Sequence, residues 1–153
     1  MKVEVMPKRF KRTRRRAQFG AAPFRYGEDG QVEVLLVTTR ETRRWMVPKG
    51  WPIKKLGPLG TAMQEAYEEA GVRGDGRPSI GTFDYLKVMR KGPNQICEVE
   101  LFGLLVVEEL DDWPEKAERD RRWFSAEDAA AAVEEAPLKA ILAELPDRLA
   151  RTA

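Results

Sequence analysis

The pattern of apolar residues along the chain predicts an α+β or layered α/β domain. Two observations carry that expectation. Strand-like runs rich in β-branched residues lie on both sides of one helical stretch, and alanine-rich helical segments follow the last of them. The chain has 153 residues, 42% of them hydrophobic, enough for one domain to bury a core without disulfide or metal staples.

Element by element, the chain opens on a basic stretch. Residues 1–16 carry eight Lys or Arg against Glu4 alone, a net of +7, whereas the remainder sums to −5. Such a run predicts a solvated N-terminal arm able to contact a polyanion, followed by a single domain over 17–153. An edge strand is expected near 18–26. The Gly-flanked turn at 27–30 leads into a buried strand over 32–39 (VEVLLVTT), and a short apolar piece at 45–47 stops at Pro48. The segment 49–58 holds too many Gly and Pro for regular structure. A helix is predicted from about Leu59 to Gly71, which suits a C′ glycine. Strands follow over 80–89 and 96–107, separated by the turn-prone Lys91-Gly92-Pro93-Asn94, then an acidic loop at 111–118 and a short strand at 122–124. Ser125, three residues before Asp128, is placed to cap a helix, and 138–149 reads as one amphipathic helix closing the chain.

Composition narrows the chemistry. With no His there is no Ser-His-Asp triad and no imidazole metal site, and with Cys97 alone there is no disulfide within the chain and no thiolate zinc cluster. Any metal must sit on oxygen, which favours Mg²⁺ or Mn²⁺. No apolar run reaches the length of a membrane helix, and the basic start lacks the apolar core of a secretory signal, so the expectation is a cytoplasmic protein with no membrane contact.

The helix over 59–70 carries an unusual charge pattern. At about 100° per residue, Glu69 lies roughly 40° from Glu65 on one side and Glu68 roughly 60° on the other. Leu59, Ala62, Met63, Ala66, Tyr67 and Ala70 occupy the opposite face, which should rest on a sheet. Three carboxylates within one turn repel one another, and they crowd the C-terminal half, where the helix dipole already disfavours anions. A divalent cation would offset that repulsion.

These residues bear a resemblance. From Gly50 to Val72 the chain is similar to the Nudix hydrolase box, G-x5-E-x7-R-E-U-x-E-E-x-G-U, with Gly50, Glu65, Ala66, Glu68, Glu69, Gly71 and Val72 in register. Leu56 stands where the box has its first Glu, and Gln64 where it has Arg. Trp45-Met46-Val47-Pro48-Lys49-Gly50-Trp51-Pro52, and later Arg122-Trp123-Phe124-Ser125 with Glu127-Asp128, resemble the diphosphoinositol-polyphosphate phosphohydrolase-like branch. The resemblance spans about residues 21–133. It implies an α/β/α sandwich with a mixed sheet and the carboxylate helix on one face. It also implies a hydrolase of phosphoanhydride bonds, dependent on Mg²⁺ or Mn²⁺, acting on a nucleoside-diphosphate-linked, diphosphoinositol or dinucleoside polyphosphate. By the same resemblance, Glu65 and Glu69 hold the metal with the Gly50 carbonyl, and Glu65 and Glu68 are the catalytic carboxylates. Glu68 is proton acceptor or further ligand. Replacing the box Arg by Gln64 removes charge assistance, which predicts reduced or narrowed activity. At the limit, the chain is a polyphosphate-binding module without turnover.

Polyphosphate also needs cations outside the metal site. Arg40, Arg43, Arg44 and Lys49 are the candidates around the loop, and Trp51, between Gly50 and Pro52, is the candidate for stacking on substrate. At least two of the four tryptophans are expected to be packing residues.

Overall fold

The computed structural model describes residues 15–152. Strands β1 (Arg15–Tyr26), β2 (Val32–Thr38), β3 (Trp45–Met46) and β4 (Lys49–Gly50) precede helix α1 (Gly57–Glu65), which runs into a π-helical turn at Ala66–Ala70. Strands β5 (Val72–Lys87) and β6 (Gln95–Glu109) follow, then a 3-10 turn at Lys116–Glu118 and strand β7 (Arg121–Ser125). Helices α2 (Ala126–Ala132), α3 (Ala136–Ala143) and α4 (Leu145–Thr152) close the described chain.

All seven strands form one sheet in the order β3-β2-β1-β6-β5, with β4 paired to β1 and β7 to β2. The sheet is mixed, because β1 and β6 run parallel from Arg15↔Ile96 to Phe24↔Leu105 while every other pair is antiparallel. Side chains alternate across it. Ala22, Phe24, Val34, Leu36, Val99 and Leu101 point to one face, where α2, α3 and α4 supply Ala129, Leu138, Ile141, Leu142 and Leu149. Ala21, Leu35, Val37, Phe102 and Leu104 point to the other, where α1 and the π turn supply Ala62, Ala66 and Ala70. The result is the expected helix–sheet–helix sandwich with the carboxylate helix alone on one face. Among the described residues, no helix is long and apolar enough to cross a membrane.

The structure corrects several expected boundaries. β1 is not an edge strand. It lies in the middle of the sheet, bonded to β2 and β4 on one side and β6 on the other, because its apolar residues serve both cores. It begins at Arg15, so the last two residues of the expected arm pair with Ile96 and Cys97. The rest of that arm, and with it the expected polyanion contact, lies outside the described residues. β5 starts at Val72, eight residues early, because register shifts absorb the Gly- and Pro-containing stretch before Ile80. The terminal helix is two helices: the chain leaves helical geometry at Glu144, and α4 begins at Leu145 with Pro146 in its first turn. The Ser125 cap is present, its Oγ accepting from the Asp128 amide at 3.0 Å.

Candidate active site

The carboxylate helix is placed by small residues. Ala62, Ala66 and Ala70, one turn apart, are fully buried on the sheet, so the helix backbone lies close to β1, β2 and β6. Thr61 fixes its start: the hydroxyl donates to the Gly57 carbonyl at 2.7 Å and accepts from the Ile53 amide at 3.0 Å, tying the loop to the first turn. The end is not α-helical as expected. Residues Ala66–Ala70 form a π turn, a form that recurs at functional sites, and Gly71 stops it at φ +67°.

Glu65 and Glu69 lie side by side, near enough for the charge of Glu69 to bear on the Glu65 carboxyl. Glu69 is buried, 6% exposed. Desolvation, followed by the charges of Glu69 and Glu68, pushes the Glu65 carboxyl up to about 8. Burial likewise raises Glu69, opposed by the nearby positive charges of Lys49 and Arg119. Gly50 in β4 supplies the space: a Cβ on it would overlap the Glu65 carboxylate. Glu68 faces another way, its Oε2 accepting from Gln64 Nε2 at 2.7 Å, so the amide that replaces the box Arg still orients one carboxylate. Leu56 and Gln64, the two departures from the box, line one cleft of about 430 Å³ with Met63, Tyr67 and Leu104.

The loop before β7 closes the helix end. Trp113 Nε1 donates to the Glu69 carbonyl at 3.1 Å, the Glu115 amide to the Glu68 carbonyl at 3.0 Å, and Arg121 Nη1 to the Ala70 carbonyl at 2.8 Å. The Leu110 amide reaches the Gly71 carbonyl at 2.8 Å. These donors satisfy the free carbonyls of a helix terminus, and Arg121, stacked 3.9 Å over Trp113, sets a positive charge where the dipole is negative.

Of the residues expected at the site, the structure brings together Glu65, Glu69, Gly50 and Lys49. Lys49 is not a solvated loop cation. Its Nζ sits 4.7 Å over the Tyr85 ring, and burial lowers its pKa against the pull of Glu69. Arg40 bonds Glu118 at 3.1 Å and feels the charges of Glu115 and Glu69, which raise its pKa. Trp51 lies beneath the Arg16 guanidinium at 4.8 Å. Two arginines are engaged elsewhere. Arg43 bonds Asp120 and the Glu118 carbonyl, both at 2.8 Å. Arg44 pairs at 2.9 Å with Glu135, at the start of α3 on the opposite face of the sheet. Sequence reasoning missed Arg119 and Arg121 and left Glu115 unassigned. All three lie some 50 residues downstream of the helix, and no local spacing links them to it.

Among the described residues, no three acidic or Cys side chains converge tightly enough to form a closed metal cage. The donors do suit a hard cation that keeps most of its waters. Mg²⁺ is commonly held by one or two carboxylates with substrate oxygens, and Glu65 with Glu69 offers two, beside the backbone of Gly50.

Comparison with known proteins agrees with this architecture. The NUDIX domain family model matches residues 15–145. Nudix hydrolase 17, mitochondrial, of Arabidopsis thaliana is 33% identical over 142 residues, covering 88% of this chain and 76% of that protein. Diphosphoinositol polyphosphate phosphohydrolase 3-alpha of Mus musculus is 36% identical over 112 residues, 71% of this chain and 65% of that one. The C. elegans Ap4A hydrolase, solved as a binary complex, shares the fold with a TM-score of 0.65 at 21% identity, over 88% of this chain and 98% of that chain.

Proposed function

The chain belongs to the Nudix family of hydrolases, a pyrophosphohydrolase by that membership, and from this premise we propose that it cleaves a phosphoanhydride bond in a nucleoside-diphosphate-linked, diphosphoinositol or dinucleoside polyphosphate. One observation carries the reading: two carboxylates one turn apart, Glu69 buried, sit in a niche that only a glycine at position 50 leaves open.

In this reading Glu65 and Glu69 hold Mg²⁺ or Mn²⁺, with the Gly50 carbonyl as a further oxygen donor. Such an ion, when bound, neutralises phosphate charge and makes water a better nucleophile. The chain's own groups do the rest. Glu68, oriented by Gln64 and free of the Glu65–Glu69 contact, accepts the proton of the attacking water. Lys49 is partly desolvated, so its charge acts on a phosphate with less competition from water. Arg40, within reach of the charge of Glu69, contributes a second positive charge, and Trp51, half-buried under Arg16, is the aromatic candidate for stacking on substrate. Arg43 and Arg44 brace the loop through their ion pairs rather than meeting substrate.

The test is hydrolysis of diadenosine tetraphosphate, a nucleoside-diphosphate sugar and a diphosphoinositol polyphosphate, with Mg²⁺ or Mn²⁺, its products separated by anion-exchange chromatography, by the natural protein and by Glu69→Gln. Turnover of at least one compound, reduced 100-fold or more in the variant, is expected. Equal turnover by the two proteins removes the helix from the chemistry.

A further inference from the structure

The cation that steadies the carboxylate pair does not come from the helix that carries it. Gln64 is uncharged and engaged with Glu68. Arg119, between the 3-10 turn and β7, is inside instead, its side chain only 9% exposed. All three of its guanidinium nitrogens are occupied: Nη2 lies 3.4 Å from Glu69 Oε2, Nε donates to Glu115 Oε1 at 2.7 Å, and Nη1 donates to the Thr38 carbonyl at 3.0 Å. The backbone beside it is pinned to β2, since the Asp120 amide donates to Thr38 Oγ1 at 2.9 Å and the Thr38 amide to the Asp120 carbonyl at 3.0 Å. A planar fork held at three points on a rigid base fixes the position of whatever it touches.

We infer that Arg119 is a positioning residue that holds Glu69 in its ligating orientation, anchored in turn by Thr38 and Glu115. The inference rests on the reading of Glu65 and Glu69 as ligands of a divalent cation. It places the orienting charge on the loop before β7, so the site is completed only when that loop docks on the helix end. It also explains how the carboxylate helix tolerates Gln64.

The experiment is a titration of the purified full chain with Mn²⁺ alone, following the electron paramagnetic resonance of the free ion. The proteins compared are the natural chain, Arg119→Lys, Glu69→Gln and the double variant. Lysine keeps the charge but cannot bridge three acceptors. Arg119→Lys should therefore weaken Mn²⁺ binding about 10-fold, in the range seen when groups that orient metal ligands are changed. In the Glu69→Gln background the same substitution should change nothing further, because the two act through one another. Affinity within twofold of natural for Arg119→Lys, or an equal loss in both backgrounds, overturns the inference. If Glu69→Gln itself leaves Mn²⁺ binding unchanged, the ligand reading falls and takes this one with it. If Glu69→Gln weakens binding and Arg119→Lys does not, only this one falls. Should Arg119→Lys melt below the assay temperature, Glu115→Ala replaces it, removing the Nε partner while keeping the guanidinium. A severalfold loss that vanishes in the Glu69→Gln background is then expected, and an additive one refutes the inference.

Discussion

Replacing Gly50 by alanine tests the niche directly. The backbone at this position is not left-handed, so alanine itself is acceptable there. The new Cβ is not: it would lie 2.5 and 2.7 Å from the two Glu65 carboxylate oxygens, against about 3.4 Å for ordinary contact. The carboxylate, whose carbon is closer still, must retreat by about 1 Å, and as the end of a rotatable side chain it can turn away without unfolding the helix. A misplacement on the order of 1 Å in a reacting constellation costs about 100-fold in rate, or roughly 2.7 kcal/mol of barrier. The expected outcome is kcat/KM down about 100-fold and Mn²⁺ affinity reduced, with the thermal midpoint lowered by only a few degrees. Hydrolysis kinetics followed by product chromatography, with a Mn²⁺ titration and a melting curve, measure all three. A folded variant whose kcat/KM stays within threefold of natural, with unchanged Mn²⁺ affinity, would show that the Glu65 carboxylate does not work from the position it occupies here.

Two further outcomes follow from the same geometry. The metal-free protein should lose stability as pH rises. Folding lifts the Glu65 carboxyl from its ordinary 4.5 to about 8, so across that window the folded state binds the extra proton. Stability is full below about 4.5, falls as pH rises toward 8, and levels off above it. One pK unit is about 1.4 kcal/mol, but Glu65 is only half-buried and screening holds the total to about 1–3 kcal/mol. Melting curves in chelator between pH 5 and 8.5 should show the fall, and saturating Mg²⁺ should abolish it; a midpoint flat in pH would contradict the raised carboxyl. Arg44→Ala should act on stability and not on substrate, because it leaves Glu135 buried without its partner. A loss of about 1–3 kcal/mol in urea unfolding is expected, with KM within twofold of natural. A raised KM with unchanged stability would return Arg44 to the substrate.

Local chemistry was legible before any fold was known. The alternating strand residues, the apolar stripe of α1, the stop at Gly71 and the Ser125 cap all follow from interactions between residues a few positions apart, and each stands where the pattern put it. The three glutamates were equally visible, because like charges crowded on one turn oppose what a helix prefers. The length of β5 was hidden by its Gly and Pro, since only a partner strand can carry a chain through such register shifts. Whether β1 lay at an edge or in the middle was equally illegible, because a strand buried on both faces shows its neighbours only when they pair with it. The charges near the site depended most on tertiary structure. An arginine in a basic loop has the same sequence signature whether or not it also pairs with a glutamate at the start of a distant helix, as Arg44 does. Arg119 and Arg121 gave no signal because their work is done across some 50 residues of chain, on carbonyls and carboxylates brought to them only when the last loop folds over the helix end. Contacts local in sequence write themselves into residue spacing; contacts made by packing distant segments together do not, and the charge balance of this site is of the second kind.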